Sequence, residues 1–520
     1  MSKKISFITL GCKLNYAETS TYEKGFIKEG LEVVPWNSGE ADIYLVNTCS
    51  VTEHSDKKCR NLIRKVHRQN PEAAIFATGC YAQLKGEEVA NLDGVVSVFG
   101  AREKGRVVGD IMQWVRSEEI ECTAHGVENR LHGTEDRLHG AEDRDLSAKD
   151  RTHGVEDRMI GMDESKTGSG VVHVEAAENV GAMFPAYSSG ERTRSFLKVQ
   201  DGCDFKCNYC TVPYARGESR NIPICLAVKQ AEEIAASGIK EIVITGVNTG
   251  DFGKTTGESF LDLLKALNAV DGIERYRISS IEPNLLTEEI VDWIASGTKF
   301  QPHFHIPLQS GCDTVLKEMG RRYNTADFAH KIAYIRAKME DHASVAGVAE
   351  VAEATTGVAG VTTGVAGVTD VAGVTGVAEV TEVTEVTTGD RPEVFFGIDV
   401  IVGFPGETDE LFEETYTFLR DTIKPAFIHI FPYSRRTGTP AATRKDQIQD
   451  SVKTERVNRL EALCKELNDA FIARNKGTKG EVLFESSVKG GHMFGYTGNY
   501  IRVERPYEAD KVGRIVKLTI

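Results

Sequence analysis

The chain has 520 residues, more than one hydrophobic core supports, so two or more domains are expected. Hydrophobic residues make up 41% and charged residues 27%, a balance that excludes a largely disordered protein. Of the net charge of −15, segments 117–180 and 341–392 carry −9 and −7, so the remainder is nearly neutral and an RNA partner is not excluded.

The N-terminal sequence MSKKISFITLG is too short and too strand-like for a secretory signal, and no run of about 18 apolar residues is present to span a membrane. We therefore expect a cytoplasmic protein without a membrane partner. In that compartment, the 11 cysteines are expected to bind metal or act in catalysis rather than to form disulfides.

Residues 1–116 form the first predicted domain, in which short apolar runs alternate with helical patterns. The apolar runs are 5–10, 31–36, 42–47, 73–78 and 95–100. The clearest helical pattern is 53–69. This βαβα order predicts an α/β domain whose parallel sheet is covered on both faces.

Residues 117–190 are predicted to be an acidic linker. From residue 125 the sequence contains five seven-residue units, from HGVENRL to HGVEDRM. A period of seven suggests a coiled coil, but no unit has two apolar residues at the required spacing, and the regular histidines alternatively suggest metal binding. We favour a flexible linker of biased composition.

Residues 191–445 again alternate between strands and helices. The strand candidates are 196–201, 241–247, 275–281, 303–309, 395–403 and 427–432. Helical patterns separate them, for example 226–237, 258–268 and 325–340. Six β/α units predict an incomplete (β/α) barrel. An insert at 343–390, rich in Val, Thr and Gly, could form strands, but we favour a disordered loop on the barrel face opposite the active site.

Residues 446–520 are predicted to form a helix followed by a small β-barrel. The helical pattern ends near residue 475, and short apolar runs such as EVLFES and YIRVERP follow it. Residues 476–520 carry a net charge of +3 although the whole chain is acidic. This basic module suits contact with RNA phosphates.

The strongest chemical signal is a set of three cysteines within eight residues, Cys203, Cys207 and Cys210, directly after a predicted strand. Three thiolates can hold one metal centre, and no fourth Cys or His lies nearby. The spacing indicates a 4Fe–4S cluster with one open iron, at the end of the barrel where such enzymes carry their chemistry. A zinc knuckle or an electron carrier is the structural alternative.

Three further cysteines, Cys12, Cys49 and Cys80, each follow the end of a predicted parallel strand in the first domain. Sites in open α/β sheets form outside the carboxyl ends of the strands, so these thiols are expected to converge. Each alone could instead be a small buried hydrophobe. The cysteines at 59, 122, 225, 312 and 464 complete no ligand set by spacing.

The motif C-x3-C-x2-C, with an aromatic residue before its last cysteine, resembles the signature of radical S-adenosylmethionine enzymes. With the second set of cysteines, the chain resembles the methylthiotransferase branch of that family over about 1–115, 191–342 and 390–520. The resemblance implies two 4Fe–4S clusters, one that cleaves S-adenosylmethionine and an auxiliary one that carries sulfur. It also implies an external electron donor of the flavodoxin or ferredoxin type and a C-terminal RNA-binding barrel of the TRAM type.

Polar residues at predicted strand ends resemble the S-adenosylmethionine site of the family. They lie in the segments ITGVNTGDFG, RISSIEP, HIPLQSG and GIDVIVGFPGET. The resemblance implies that the cofactor contacts Gly246, Asn248, Ser280, Gln309, Ser310 and Gly403. Gly-rich strand ends are also ordinary turns.

The helix after Cys49 is basic, and we expect it to contact RNA phosphates beside the auxiliary cluster, so that binding weakens with added salt. Its cationic residues are Lys57, Lys58, Arg60, Arg64 and Lys65. A solvated surface helix is the alternative interpretation.

The segments LGCKLN, NTCSVTEHSDKK and ISSIEP resemble the branch that methylthiolates carbon 2 of N6-threonylcarbamoyladenosine in the tRNA anticodon stem-loop. The alternative substrates are N6-isopentenyladenosine in tRNA and an aspartate of a ribosomal protein. An iron–sulfur RNA-binding scaffold without enzymatic activity is the alternative outside the enzymes.

Overall fold

The structure is a computed structural model that describes residues 3–118, 170–176, 180–189, 193–340, 377–379 and 392–520. The seven-residue units at 125–159 and most of the insert at 343–390 lie outside the described residues. The described chain folds into an N-terminal α/β domain, an incomplete barrel and a C-terminal antiparallel sheet. The predicted fold class is therefore confirmed.

The N-terminal domain is a parallel sheet of strand order β2-β1-β3-β4-β5-β6. The strands are β1 (Lys4–Thr9), β2 (Glu32–Val33), β3 (Ile43–Thr48), β4 (Ala74–Gly79), β5 (Val95–Phe99) and β6 (Val171–His173). The helices are α1 (Lys13–Lys28), α2 (Glu53–Gln69), α3 (Cys80–Leu84), α4 (Gly86–Ala90) and α5 (107–118). On β3, Tyr44 and Val46 pack into one hydrophobic cluster and Ile43 and Leu45 into another, so both faces are buried.

Helix α2 illustrates how the sequence sets an element that reaches the site. The Thr52 hydroxyl caps its N-terminus by accepting from the backbone N–H of Ser55 at 3.1 Å. Asp56 lies in the first turn, where a carboxylate complements the helix dipole. Ile63 and Val66 are buried against the sheet, so the basic side chains are left on the outer face.

Strand β6 corrects the predicted boundaries of the linker. Residues 171–173 pair in parallel with β5 and so belong to the N-terminal sheet rather than to a linker over 117–190. The apolar run VVHV supplies the strand, but it is short and follows a long polar segment. A short β-run of this kind acquires its structure from the sheet edge that it joins.

The barrel contains all six predicted strands, and these pair in parallel with one another. The strands of this region are β7 (Ala186–Tyr187), β8 (Arg194–Lys198), β9 (Gln200–Asp201), β10 (Arg220–Asn221), β11 (Glu241–Thr245), β12 (Arg275–Ile278), β13 (His303–His305), β14 (Val377–Glu379), β15 (Phe395–Val402) and β16 (Phe427–Pro432). The wall has the orders β12-β11-β8-β7 and β13-β15-β16, joined by parallel bridges such as Ser280 to His305. Strand β7, predicted as linker, extends the edge of β8 in antiparallel orientation.

The helices of this region lie mainly on the outside of the wall, apart from the short helices at 212–216 and 440–443, which lie beside the loop that carries Cys203, Cys207 and Cys210. The helices are α6 (Val212–Arg216), α7 (Ile224–Ala236), α8 (Phe260–Asn268), α9 (Glu288–Ala295), α10 (Asp313–Glu318), α11 (Thr325–Glu340), α12 (Asp409–Thr417), α13 (Pro440–Thr443) and α14 (Asp450–Asn475). No helix in the described ranges is both long and apolar enough to cross a bilayer. Buried residues such as Ile242, Phe304 and Val400 form one continuous core with these helices.

The C-terminal module is a curled sheet of order β14-β19-β18-β17-β20. Its own strands are β17 (Lys479–Lys489), β18 (His492–Thr497), β19 (Arg502–Pro506) and β20 (Ile515–Thr519), paired in antiparallel fashion. The module packs against the N-terminal ends of the barrel strands. Arg194, the first residue of β8, donates to the Tyr500 hydroxyl at 3.0 Å and to Glu485 at 2.7 Å.

Strand β14 is the described part of the predicted insert. It pairs in parallel with β19, so these three residues are a strand rather than a loop, as their Val content allows. The insert leaves from the end of α11 and returns to the start of β15, which is the barrel end that carries the C-terminal module.

Deleting residues 125–158 is expected to leave turnover within about twofold of the full-length chain, because loop length changes stability only slowly. Residues 170–176 stay in place to supply β6. Turnover and thermal unfolding, measured on both chains, provide the check. A large loss of turnover with an unchanged Tm would show that the segment has a role in the reaction.

Candidate active site

A cavity of about 330 Å³ lies at the carboxyl ends of the barrel strands. The barrel contributes Cys203, Cys207 and Cys210, and the N-terminal domain contributes Cys80 together with residues 50–52. The three closely spaced cysteines and Cys80 therefore face one open cavity between the two domains, whereas Cys12 and Cys49 are not part of its lining. This is the location at which barrel enzymes and open α/β sheets both place their chemistry.

The three closely spaced cysteines lie in a loop that follows β9. Each sulfur accepts one N–H group: from the Phe205 backbone to Cys203 at 3.4 Å, from the Val212 backbone to Cys210 at 3.4 Å, and from Arg321 to Cys207 at 3.2 Å. Donors of this kind stabilise sulfur that carries negative charge, as in cluster ligands. The loop therefore fits a bound iron–sulfur cluster.

Burial raises the pKa of the Cys203 and Cys210 thiols to about 12. Two neutral thiols in an apolar wall are poor nucleophiles, because only the thiolate reacts. A cationic metal centre reverses this balance, since its binding displaces the protons. The surroundings of these thiols thus suit metal binding better than nucleophilic catalysis.

The dispersed cysteines converge at the edge of the N-terminal sheet. Cys12, Cys49 and Cys80 follow the ends of β1, β3 and β4, which are neighbours in the sheet. Burial raises the pKa of Cys49 to about 12, and the nearby thiols of Cys80 and Cys12 add to this shift. Gly11, at φ +107°, allows the chain after β1 to lie close to the Cys49 sulfur, because a Cβ at this position would be only 2.9 Å from that sulfur.

Cys59 lies behind this set rather than in it. Its thiol donates to the backbone carbonyl of Cys49 at 3.4 Å and accepts from the Cys49 backbone N–H at 3.5 Å. Cys312 and Cys464 are buried in hydrophobic clusters, whereas Cys225 is exposed. None of these four lines the cavity in the part of the chain that the structure describes.

A buried ion network joins the two domains beside the dispersed cysteines. Its members are Glu18 and Lys104 of the N-terminal domain and Lys198, Asp201 and Arg216 of the barrel. Arg216 donates to Asp201 at 2.9 Å and to Glu18 at 3.2 Å. Burial alone would raise the pKa of Glu18, but the three cations outweigh burial and hold it well below its usual value.

The ion network is net positive, because three cations face two carboxylates. Burial raises the pKa of Cys80, while Arg216 and Lys104 act against that rise. The network therefore favours negative charge on sulfur at this edge of the sheet. It also fixes the distance between the two sets of cysteines.

The residues predicted to contact S-adenosylmethionine divide into two groups. Asn248, Ser280 and Gln309 line the cavity. Gln309 has a φ of +68°, a backbone strain that is typical of functional sites. The others, Gly246, Ser310 and Gly403, lie outside the lining.

Local hydrogen bonds explain why two of those residues do not face the cavity. The Ser310 hydroxyl lies 3.0 Å from the Thr415 hydroxyl on α12. The Gly403 backbone N–H donates to the Glu407 carboxylate at 2.5 Å. Both residues stabilise the strand-to-helix turns of the barrel, which is the ordinary role of such motifs.

Two buried arginines of the cavity wall were not found from the sequence. Arg321 donates to the Tyr209 hydroxyl at 3.3 Å and also to the Glu282 carboxylate. Arg436 reaches the N-terminal domain, where it donates to the Ser50 hydroxyl at 2.6 Å and to Asp56 at 3.1 Å. Each lies far along the chain from these partners, so no local sequence motif indicates its role.

The predicted RNA-contact residues on α2 are not equivalent. Lys57, Lys58 and Arg64 are exposed. Arg60 is occupied within the domain, since it donates to Tyr81 at 2.8 Å and to Glu88 at 2.9 Å. Lys65 lies 5.0 Å from the ring of Trp36 and is also exposed.

Large apolar side chains are exposed at the mouth of the cavity. Val51 and Phe431 line it and are 57% and 40% exposed. Tyr214, on the helix that follows the closely spaced cysteines, is 52% exposed. Exposed apolar groups around an opening mark a surface that another molecule covers.

The comparisons with known proteins agree with this geometry. Residues 4–100 match the uncharacterized protein family UPF0004, and residues 197–348 match the radical SAM superfamily. The chain is 34% identical to threonylcarbamoyladenosine tRNA methylthiotransferase MtaB of Bacillus subtilis, over 99% of this chain and 93% of that protein. It is 29% identical to the protein of the same name from Aquifex aeolicus, over 99% and 100%. It is 27% identical to tRNA-2-methylthio-N(6)-dimethylallyladenosine synthase of Agrobacterium fabrum, over 93% and 87%.

Proposed function

The chain belongs to the radical S-adenosylmethionine tRNA methylthiotransferases, and on this premise we propose that it modifies carbon 2 of N6-threonylcarbamoyladenosine next to the anticodon. It is a sulfur-group transferase that uses an iron–sulfur cluster and S-adenosylmethionine, and tRNA is its substrate. The finer proposal includes a second cluster, a cytoplasmic location and an external electron donor of the flavodoxin or ferredoxin type.

The observation that carries this proposal is the cavity that the three closely spaced cysteines share with Cys80 of the dispersed set. We assign one cluster to Cys203, Cys207 and Cys210, and the auxiliary cluster to Cys12, Cys49 and Cys80. When bound, the first cluster with S-adenosylmethionine supplies the radical chemistry, and the second supplies the sulfur.

The protein's own residues position the reactants and exclude water. Asn248, Ser280 and Gln309 offer polar groups from three strand ends, which suits the polar parts of a cofactor. Apolar side chains such as Ile401 and Phe431 line other parts of the wall and keep water away from a reactive intermediate. The buried ion network holds the two walls at a fixed separation.

The surroundings of the cavity suit an RNA loop. Exposed Lys57, Lys58 and Arg64 follow the N-terminal end of α2, and residues 50–52, just before that helix, line the cavity. Phosphates are attracted to such a cationic face, and splayed bases stack on exposed aromatic side chains such as Phe431. We place the anticodon stem-loop across this face.

The substrate branch rests on the relatives and on the chemistry of the cavity. The relatives named for threonylcarbamoyladenosine are 34% and 29% identical, whereas the one named for dimethylallyladenosine is 27% identical. All three names refer to tRNA, so the ribosomal-protein alternative and the scaffold without activity are disfavoured. Isopentenyladenosine remains the competing substrate.

The test offers the purified, reconstituted enzyme two tRNAs, one with threonylcarbamoyladenosine and one with isopentenyladenosine, each with S-adenosylmethionine and a reductant. We expect the methylthio product mainly from the first tRNA, with about a 100-fold or greater preference, because a polar site rejects an apolar analogue strongly. Mass analysis of the nucleosides measures both products. Product from the isopentenyl tRNA alone would overturn the substrate branch.

A further inference from the structure

Three polar side chains converge inside the barrel, next to the cavity: His305 on β13, Asp399 on β15 and His429 on β16. One nitrogen or oxygen atom of each lies within 4.8 Å of the corresponding atoms of the other two. His305 Nε2 is 2.8 Å from Asp399 Oδ1. The rings of His305 and His429 are stacked, with centroids 5.0 Å apart and planes 21° from parallel.

The pattern of the sheet directs this triad toward the barrel interior. Asp399 and His429 are paired in register on neighbouring parallel strands, so their side chains leave the same face. Ile398 and Val400 on the other face of β15 pack into the core beneath the helices. Asp399 lines the cavity, so the triad borders the same space as Cys80 and the three closely spaced cysteines.

The triad has unused hydrogen-bonding capacity. His429 Nε2 is buried without a hydrogen-bond partner among the described residues. Native proteins rarely leave such groups unpaired. A polar partner that enters from the cavity would satisfy this nitrogen.

The charge state of the triad suits a ligand that both donates and accepts hydrogen bonds. Burial lowers the pKa of His429 to about 3, so its imidazole is neutral and offers one donor and one acceptor. Burial alone would raise the pKa of Asp399, but His305 and the charge of Lys13 lower it, so the carboxylate is ionised.

We propose that His305, Asp399 and His429 form the subsite that binds the polar group on N6 of the target adenosine. This inference rests on the proposed function and names the part of the site that selects the substrate. Asp399 accepts from the hydroxyl or urea N–H groups of a threonylcarbamoyl substituent, and His429 pairs with its carbonyl or carboxylate oxygen. An isopentenyl group would bury these atoms without partners, which is the strongest basis for rejecting an analogue.

Two imidazoles and one carboxylate are also a ligand set for a divalent metal. The arrangement favours the substrate, because His305 Nε2 already contacts Asp399 and because the triad borders the cavity in which the base must lie. The test therefore includes metal analysis as an outcome that would overturn the proposal.

The informative variant is His429→Phe, which keeps the ring stacked on His305 but removes both nitrogens. The matched control is His303→Phe, two residues before His305 on β13. His303 is a buried histidine stacked on Phe395, its nitrogens have no hydrogen-bond partner in the described part of the chain, and it does not line the cavity. Both variants are measured on the two modified tRNAs, together with uncoupled formation of 5′-deoxyadenosine and iron content.

His429→Phe is expected to lower kcat/KM for the threonylcarbamoyladenosine tRNA by about tenfold or more and to raise the relative use of the isopentenyl tRNA. Iron content and uncoupled cleavage should stay at the wild-type level, and His303→Phe should keep the wild-type preference. An unchanged preference in His429→Phe would overturn the subsite alone. One equivalent of a metal other than iron, lost in His429→Phe, would also overturn it. A wild-type enzyme that uses only the isopentenyl tRNA would overturn the proposed function as well.

Discussion

Replacing Cys207 with alanine is expected to abolish the reductive cleavage of S-adenosylmethionine. The loop then retains only two thiols, and it contains no histidine or further cysteine that could replace the third ligand. The side chain is small and lies in a loop, so alanine is tolerated by the fold. The measurement is 5′-deoxyadenosine formed by the reduced, reconstituted enzyme, together with iron content, which should fall from about eight to about four per chain.

Cys225→Ala provides the control for that variant. Cys225 lies in the same domain and is exposed on α7, away from the cavity. It should keep both the iron content and the cleavage activity. Undiminished 5′-deoxyadenosine from Cys207→Ala, or from the equivalent changes at Cys203 and Cys210, would contradict the assignment of the loop.

Replacing Cys80 with alanine is expected to stop methylthio transfer while leaving uncoupled cleavage of S-adenosylmethionine intact. Cys80 begins helix α3, where alanine is a favourable residue, so the fold should be preserved. The radical-generating loop belongs to the other domain and keeps its three cysteines. Iron content should again fall to about four per chain, and the tRNA should contain no methylthio nucleoside.

Cys59→Ala is the matched control in the N-terminal domain. Its thiol contacts the backbone of Cys49, yet it does not line the cavity. The change therefore measures the effect of losing a buried thiol near the site without removing an assigned ligand. We expect full iron content and transfer activity near that of the wild type. An iron content near four in the wild type, unaltered by Cys80→Ala, would argue against two clusters.

The elements of this fold follow largely from local patterns. Helix α2 has the bounds that its helical pattern indicates, and the six barrel strands lie where the apolar runs predict them. Strand ends in parallel sheets share one edge, so the convergence of Cys12, Cys49 and Cys80 could be expected from topology alone. These inferences depend on residues that are close in sequence or on rules that apply to any α/β sheet.

The rest of the site depends on contacts that no local pattern contains. Arg436 meets Asp56 across 380 positions of the chain, and Arg321 meets Cys207 across 114. The motif HIPLQSG predicts cofactor contacts at its polar end, from Gln309 and Ser310. The structure instead adds His305, whose importance depends on partners from two other strands. Of the cofactor contacts that the resemblance implies, some therefore line the cavity and others stabilise turns of the barrel.

The position of the C-terminal module has a geometric consequence for the RNA. The module is attached at one end of the barrel and the cavity opens at the other, and the eight residues of β15 between them span about 26 Å at 3.3 Å per residue. A single RNA that contacted both the module and the mouth of the cavity would therefore have to extend along the flank of the barrel over about that length.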